Sequence, residues 1–270
     1  MTNTYQIIDS YKTFLKANNP FRYASYINLL KQNIESAKSE AVMFSIMKPI
    51  FHEVNIFENM SSGGPDFICN SNTNSFVLEV THLESKSVAS QSGINITTPV
   101  DGSVNSISMI THMLRKKISS KADQISNYSM PRILAITCEH YLSDSFLGVI
   151  GAESLLTSDS KICFSSNKQI DETSLSTDLK NSIFIRLKNG ILESCRRSIS
   201  AILLINLSDA YKSSIVGILH YDPIYSFSTN MLPTVPFLRI KKWPPINKYI
   251  ELEWSIDIPI AADFIHREIY

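Results

Sequence analysis

The pattern of apolar and polar positions predicts a chain of short strands framed by helices. After the turn Gly63-Gly64-Pro65 comes Asp66, then a brief apolar run from Phe67 to Cys69. Residues 70–74 are all polar and read as a hairpin turn. The stretch 76–83 then alternates. Phe76, Leu78, Val80 and His82 face one way, and Val77, Glu79, Thr81 and Leu83 the other. An earlier strand is expected over 54–60. The continuous apolar run 132–137 after Pro131 predicts a buried central strand. Runs 200–207 and 214–220 predict two more strands, paired so as to extend the sheet. Residues 237–243 read as an edge strand and 246–258 as a last one.

Helical spacing dominates elsewhere. Residues 5–16 form an amphipathic helix that Asn18-Asn19-Pro20 ends. Residues 22–51 are helical throughout, with a break expected at Ser39 as an N-cap and an end at Pro49. Ile107, Ile110, Met113, Leu114, Ile118 and Ile125 give a helical stripe over 106–128. Residues 142–156 read as helical or irregular, and 178–197 as a loose helix interrupted at Asn189-Gly190. Two polar, Ser-rich stretches have no period. Residues 84–105 are expected as a flap ordered by substrate, and 157–179 as an exposed or disordered insertion.

A chain of 270 residues with 44% hydrophobic content is long enough to bury a sizeable core. The pattern divides it into an N-terminal helical segment (1–35), an α/β core (36–225) and a C-terminal extension (226–270). Formal net charge is zero, so nothing global draws the chain to nucleic acid, and any such affinity must come from local patches. The four cysteines are scattered without a C-x-x-C pair, which argues against zinc; Cys69 and Cys138 read as core thiols. Residues 1–15 carry no apolar signal-peptide core, and no apolar run approaches the ~20 residues that span a bilayer. A soluble protein of the reducing cytoplasm is expected.

The candidate chemistry lies in the alternating strand. Glu79 is costly to bury without a partner, and Asp66 on the neighbouring strand would repel it. Two carboxylates brought together at a hairpin are best explained by a bound cation with oxygen ligands, typically Mg²⁺. On the helix 106–128, Lys117, Lys121 and Gln124 fall at i, i+4 and i+7 and share a face. Arg115 and Lys116 add to a basic surface, which reads either as a solvated face or as a phosphate-binding one. Glu40 reads as a helix first-turn acid favoured by the helix dipole. His112, Glu139, His140, Asp144, His220 and Asp222 are weaker candidates, each with an ordinary packing or capping role open to it. Arg239, Lys241 and Lys242 with Trp243 could touch a nucleic-acid backbone, or serve as edge-strand lysines.

"GGPDF", followed by "LEVTHL", resembles the PD-(D/E)xK nuclease superfamily, the restriction-endonuclease-like fold. The resemblance implies a mixed α/β fold with an αβββαβ core. It matches Asp66 and Glu79 to the two metal-holding carboxylates, with the Val80 carbonyl beside them and Glu40 as an added ligand from the first core helix. Thr81 stands where the pattern has its lysine. "KKISSKADQI" is similar to the K-x-x-Q helix of divergent members, in which the lysine has moved from strand to helix. That implies Lys121 as the substitute, Gln124 beside it, Lys117 as second choice and Thr81 as a supporting hydroxyl. The implied activity is Mg²⁺- or Mn²⁺-dependent hydrolysis of phosphodiesters, most naturally DNA, in a restriction or anti-phage setting. A homodimer would suit double-strand cutting. Other readings are a scaffold that has lost catalysis and binds nucleic acid or a protein, and an unrelated α/β interaction protein in which Asp66 and Glu79 lie far apart.

Overall fold

The computed structural model describes residues 4–57, 64–93, 105–157, 160–164, 173–177, 179, 182–208, 214–244, 249–256 and 266–269. Three helices open the chain: α1 (Thr4–Asn18), α2 (Pro20–Gln32) and α3 (Ile34–Met47). Three strands follow, β1 (Glu53–Ile56), β2 (Phe67–Asn70) and β3 (Ser75–His82), then α4 (Ser85–Ser92), α5 (Asn105–Gln124) and β4 (Arg132–Cys138). The expected helix, three strands, helix, strand order is therefore present, with α4 inserted. After α6 (Ser143–Leu147) and α7 (Val149–Thr157), strands β5 (Ser160–Phe164), β6 (Thr173–Thr177), β7 (Ile185–Lys188), β8 (Ile191–Ser194), β9 (Ala201–Asn206), β10 (Ser214–Leu219), β11 (Phe237–Ile240), β12 (Tyr249–Trp254) and β13 (His266–Ile269) complete the chain.

The fold is mixed α/β, with N-terminal helices and C-terminal strands. The central sheet runs β1-β2-β3-β4-β9-β10-β11-β12 and continues through β13 and β6 to β5. Strands β3, β4 and β9 are parallel neighbours, whereas β1, β2 and β3 are antiparallel. Alternate residues of β4 feed two cores. Leu134 and Ile136 pack with Ile110, Leu114 and Ile118 of α5. Ile133 and Ala135 pack on the opposite face with the aromatic residues of α1, α2 and α3. There Tyr11 meets Tyr26 edge-on with ring centroids 4.9 Å apart, and Phe44 at the same distance. Each such ring contributes about 1.5–3 kcal/mol by leaving water. Cys69 and Cys138 are buried in these cores, as expected.

Several sequence expectations are corrected. The break in the second helical stretch falls at Asn33, not Ser39. Asn33 leaves the helical region, and its Oδ1 accepts from the Ser36 N–H, the capping geometry asparagine favours. Ser39 is buried mid-helix, donating to the Glu35 carbonyl and sharing a hydrogen bond with Thr137 Oγ1 at 2.6 Å. The expected flap begins as a helix, α4, and residues 94–104 lie outside the described residues. Strand β1 ends at Ile56, and 58–60 also lie outside.

The loose helix expected over 178–197 is the hairpin β7–β8. Asn189 and Gly190 both take positive φ, 52° and 79°, which is the two-residue turn that Asn-Gly specifies between strands. Within 157–179, β5 and β6 pair antiparallel instead of forming a structureless insertion. Strand β11 is interior, not an edge. It lies between β10 and β12, and Phe237 closes over Gly217, where a Cβ would sit 2.1 Å from the ring. Arg239 and Lys241 pair with Glu253 and Glu251, so their charges serve cross-strand contacts. No helix among the described residues is long and apolar enough to cross a membrane.

Candidate active site

The hairpin register brings the two carboxylates together. Phe67 pairs with Leu78, so one step outward the antiparallel ladder sets Asp66 beside Glu79. The Val80 N–H donates to Asp66 Oδ2 at 2.7 Å and fixes that carboxylate against β3. Glu79 is 3% exposed in the middle of an eight-residue strand, where an unpaired carboxylate would be expensive. Its partner comes from α5: Lys121 Nζ donates to Glu79 Oε1 at 2.6 Å and to Gln124 Oε1 at 2.9 Å. The i, i+3 spacing of Lys121 and Gln124 on one helical face makes this possible. Thr81, two residues beyond Glu79, is buried and lines the same cleft. Lys117 stands one turn earlier on α5, half-buried.

Glu40 enters the cleft from α3. The helix begins at Ile34, so Glu40 sits in its second turn and the helix-dipole reading fails. Side chains hold it instead: the Tyr11 hydroxyl donates to Oε1 at 2.5 Å and Arg22 Nη2 to Oε2 at 2.9 Å. The same Arg22 nitrogen lies 3.7 Å from Asp66 Oδ1. Tyr11 and Arg22 escaped the sequence reading. They lie 29 and 18 residues from Glu40 on other helices, and no local spacing links them to it.

The cleft is about 430 Å³, and its lining includes Glu40, Asp66 and Glu79 against Arg22 and Lys121, three carboxylates to two strong cations. Burial, then Glu79 and Glu40, push the Asp66 carboxyl well above its usual range, against the Val80 N–H and Arg22. Burial and Glu40 likewise raise the Tyr11 phenol. Burial and the neighbouring Lys121 lower Lys117. Asp66, Glu79 and the Val80 carbonyl are hard oxygen donors, the kind Mg²⁺ and Mn²⁺ prefer, and a cation would offset the burial and the repulsion that hold Asp66 up. Among the described residues no three His, Cys, Asp or Glu side chains are arranged to hold a metal by themselves. A cation here would therefore rest on the two carboxylates and the carbonyl, with water completing its shell, as Mg²⁺ commonly does.

The remaining candidates lie elsewhere. Glu139 pairs with Lys38 at 3.0 Å, His140 Nδ1 accepts the Leu142 N–H, and Asp144 accepts from Ser214 Oγ. His112 is exposed on the outer side of α5. His220 is buried, donates from Nε2 to the Cys195 carbonyl and accepts the Asp222 N–H at Nδ1, which fixes it as a neutral ring. Asp222 pairs with Arg197. Burial pulls His220 down to about 4 from 6.5. In that window the unfolded chain binds the extra proton, so stability is full above pH 6.5 and lost as pH falls towards 4. The loss is about 3 kcal/mol by linkage. Urea unfolding of wild type and His220→Phe at several pH values checks this. The variant should lose that slope.

Compared with family models, with curated proteins and with solved structures, the chain matches none.

Proposed function

We propose that this chain is a divalent-metal-dependent nuclease that hydrolyses phosphodiester bonds in DNA. The observation that carries the reading is the reach of Lys121 from α5 to Glu79, 2.6 Å away, with Asp66 beside it on the hairpin. This is the constellation implied by the likeness to PD-(D/E)xK nucleases whose lysine has moved to the helix. Asp66, Glu79 and the Val80 carbonyl would hold Mg²⁺ or Mn²⁺, with Glu40 as a neighbouring carboxylate. A bound divalent cation supplies Lewis-acid polarisation of the scissile phosphate and a water of lowered pKa.

The chain's own residues do the rest. The Val80 N–H keeps Asp66 oriented, and Gln124 keeps the Lys121 ammonium in place. Lys121, once released from Glu79, orients the attacking water or meets the charge developing on the phosphate. Thr81 offers a hydroxyl on the same strand face. Tyr11 and Glu40 position Arg22 at the rim. A second reading, binding without cleavage, is favoured by Arg22 and Lys121, which already lie against the carboxylates.

Two measurements test the proposal. Supercoiled plasmid should be nicked in Mg²⁺ or Mn²⁺ and left intact in EDTA. Mn²⁺ at ~100 times its dissociation constant should stabilise the protein by about 2.7 kcal/mol, seen as a higher Tm. The absence of both effects in a folded preparation would sink the nuclease reading. Stabilisation by Mn²⁺ without nicking would leave the binding scaffold.

A further inference from the structure

Beyond the carboxylate cleft, two more hollows follow one another along α5. The first lies between α4 and α5, shares His82 with the cleft, and carries Lys86, Lys116 and Lys117 against one acid, Glu84. The second shares His112 and Lys116 with the first and runs on to the β7–β8 hairpin. Arg115, Arg186 and Arg196 line it, and among the described residues no carboxylate does. Six cations thus gather on one flank of a chain whose formal net charge is zero.

The walls are built features. Glu35 of α3 accepts the Ser85 N–H at 2.9 Å and ties down the start of α4. Arg196 sits at φ 53°, a backbone region that a non-glycine residue occupies only at a cost. Its guanidinium is braced by neutral oxygens, Ser119 Oγ at 2.7 Å and the Ile183 carbonyl at 2.8 Å. These contacts fix its direction and leave its charge in force. Arg186 has one weak surface pair, Glu193 at 3.4 Å. Lys117, lowered by burial and by Lys121, gains from any anion placed beside it.

We infer that these hollows form a track for the sugar–phosphate backbone of a nucleic acid, leading from the carboxylate cleft across α5 to the β7–β8 hairpin. The inference deepens the nuclease reading and rests on it for where the strand begins. Phosphates spaced along a strand suit a row of separate cations, whereas a compact anion would occupy one hollow only. Arg196 and Arg186 suit bidentate phosphate contacts, and the lysines act as point charges.

The test is equilibrium binding of a fluorescent oligonucleotide, single-stranded and duplex, to the full chain in EDTA over a range of salt. The variants are Lys86→Ala/Lys116→Ala/Arg186→Ala, all at exposed positions, and the control Arg239→Ala/Lys241→Ala, on β11 and just past its end. The triple variant should bind at least about tenfold more weakly, with a salt slope shallower by about three, one for each phosphate that no longer meets a cation. The control should bind as wild type does. Equal binding by wild type and triple variant, or no oligonucleotide binding by wild type even at about 50 mM salt, would overturn the track. Because EDTA suppresses cleavage, a wild type that binds but never cuts would uphold the track while sinking the nuclease reading.

Discussion

Asp66→Asn should abolish the proposed metal-dependent nicking, by about a thousandfold or more, and leave the protein at least as stable as wild type in EDTA. The rate loss follows from removing one of two carboxylate ligands, since Lewis-acid assistance supplies several kcal/mol and about 4 kcal/mol is a thousandfold. The stability claim follows from the geometry. Asparagine keeps an oxygen where Asp66 Oδ2 accepts the Val80 N–H, so that bond survives. What disappears is a buried negative charge crowded by Glu79 and Glu40. The Asp66 carboxyl is raised in the folded chain above its unfolded value, about 3.9. Between those two values the folded chain binds more protons than the unfolded one, so wild-type stability falls as pH rises through that window. The variant lacks this slope. Its advantage should grow with pH across the window and vanish in acid, which urea unfolding at a few pH values measures. Asp66→Ala, by contrast, strands the Val80 N–H and should cost about 1–3 kcal/mol. Wild-type nicking by Asp66→Asn would dismiss the metal site. A less stable Asp66→Asn at neutral pH would mean that the attraction of Arg22 outweighs the repulsion.

The core of the fold was legible because its signals are local. Alternation over 76–83 and the stripe ending at Ile125 each report a face that one element buries, and the unbroken apolar run 132–137 reports a strand buried on both faces. The polar hairpin turn after Asn70 sets the register that pairs Asp66 with Glu79, and the i, i+3 spacing sets Lys121 beside Gln124. Asn189-Gly190 was also a local signal, read as an interruption when it specifies a hairpin turn. The rest was hidden for a physical reason. Glu40 is held by Tyr11 and Arg22, residues on two other helices, and such contacts depend on how helices pack. The place of β11 inside the sheet likewise depends on β12 covering it, and on Gly217 making room for Phe237. Its basic residues looked like an edge-strand surface because their partners, Glu251 and Glu253, lie on β12.

Lys121→Ala should lower the nicking rate by about 10²–10³-fold, the range that loss of one positioned charge-stabilising donor costs. It should also destabilise the fold, because it leaves Glu79 buried beside Asp66 without its ammonium. Breaking a fully buried pair costs about 3–5 kcal/mol. The Lys121 side chain is 23% exposed, so water reaches it and the loss should sit at or below the lower end. A single variant therefore confounds chemistry with stability, and the pair must be taken apart by a cycle. Glu79→Gln/Lys121→Ala removes both charges, so it should recover most of the stability lost in Lys121→Ala, with a coupling of about 0.5–3 kcal/mol expected for residues that touch. It should recover no nicking, since the proposed metal ligand is now gone as well. If Lys121→Ala is destabilised but cuts normally, the Lys121–Glu79 pair is a structural bridge. Should Lys117→Ala be the variant that fails to cut instead, the catalytic amine comes from one turn earlier on α5. Lys117 is the stronger contender on acidity alone, since burial and its neighbour lower its pKa. Lys121 is the stronger on position, since it is the amine that touches the carboxylate, and for a group that must meet a water at the metal, position decides first.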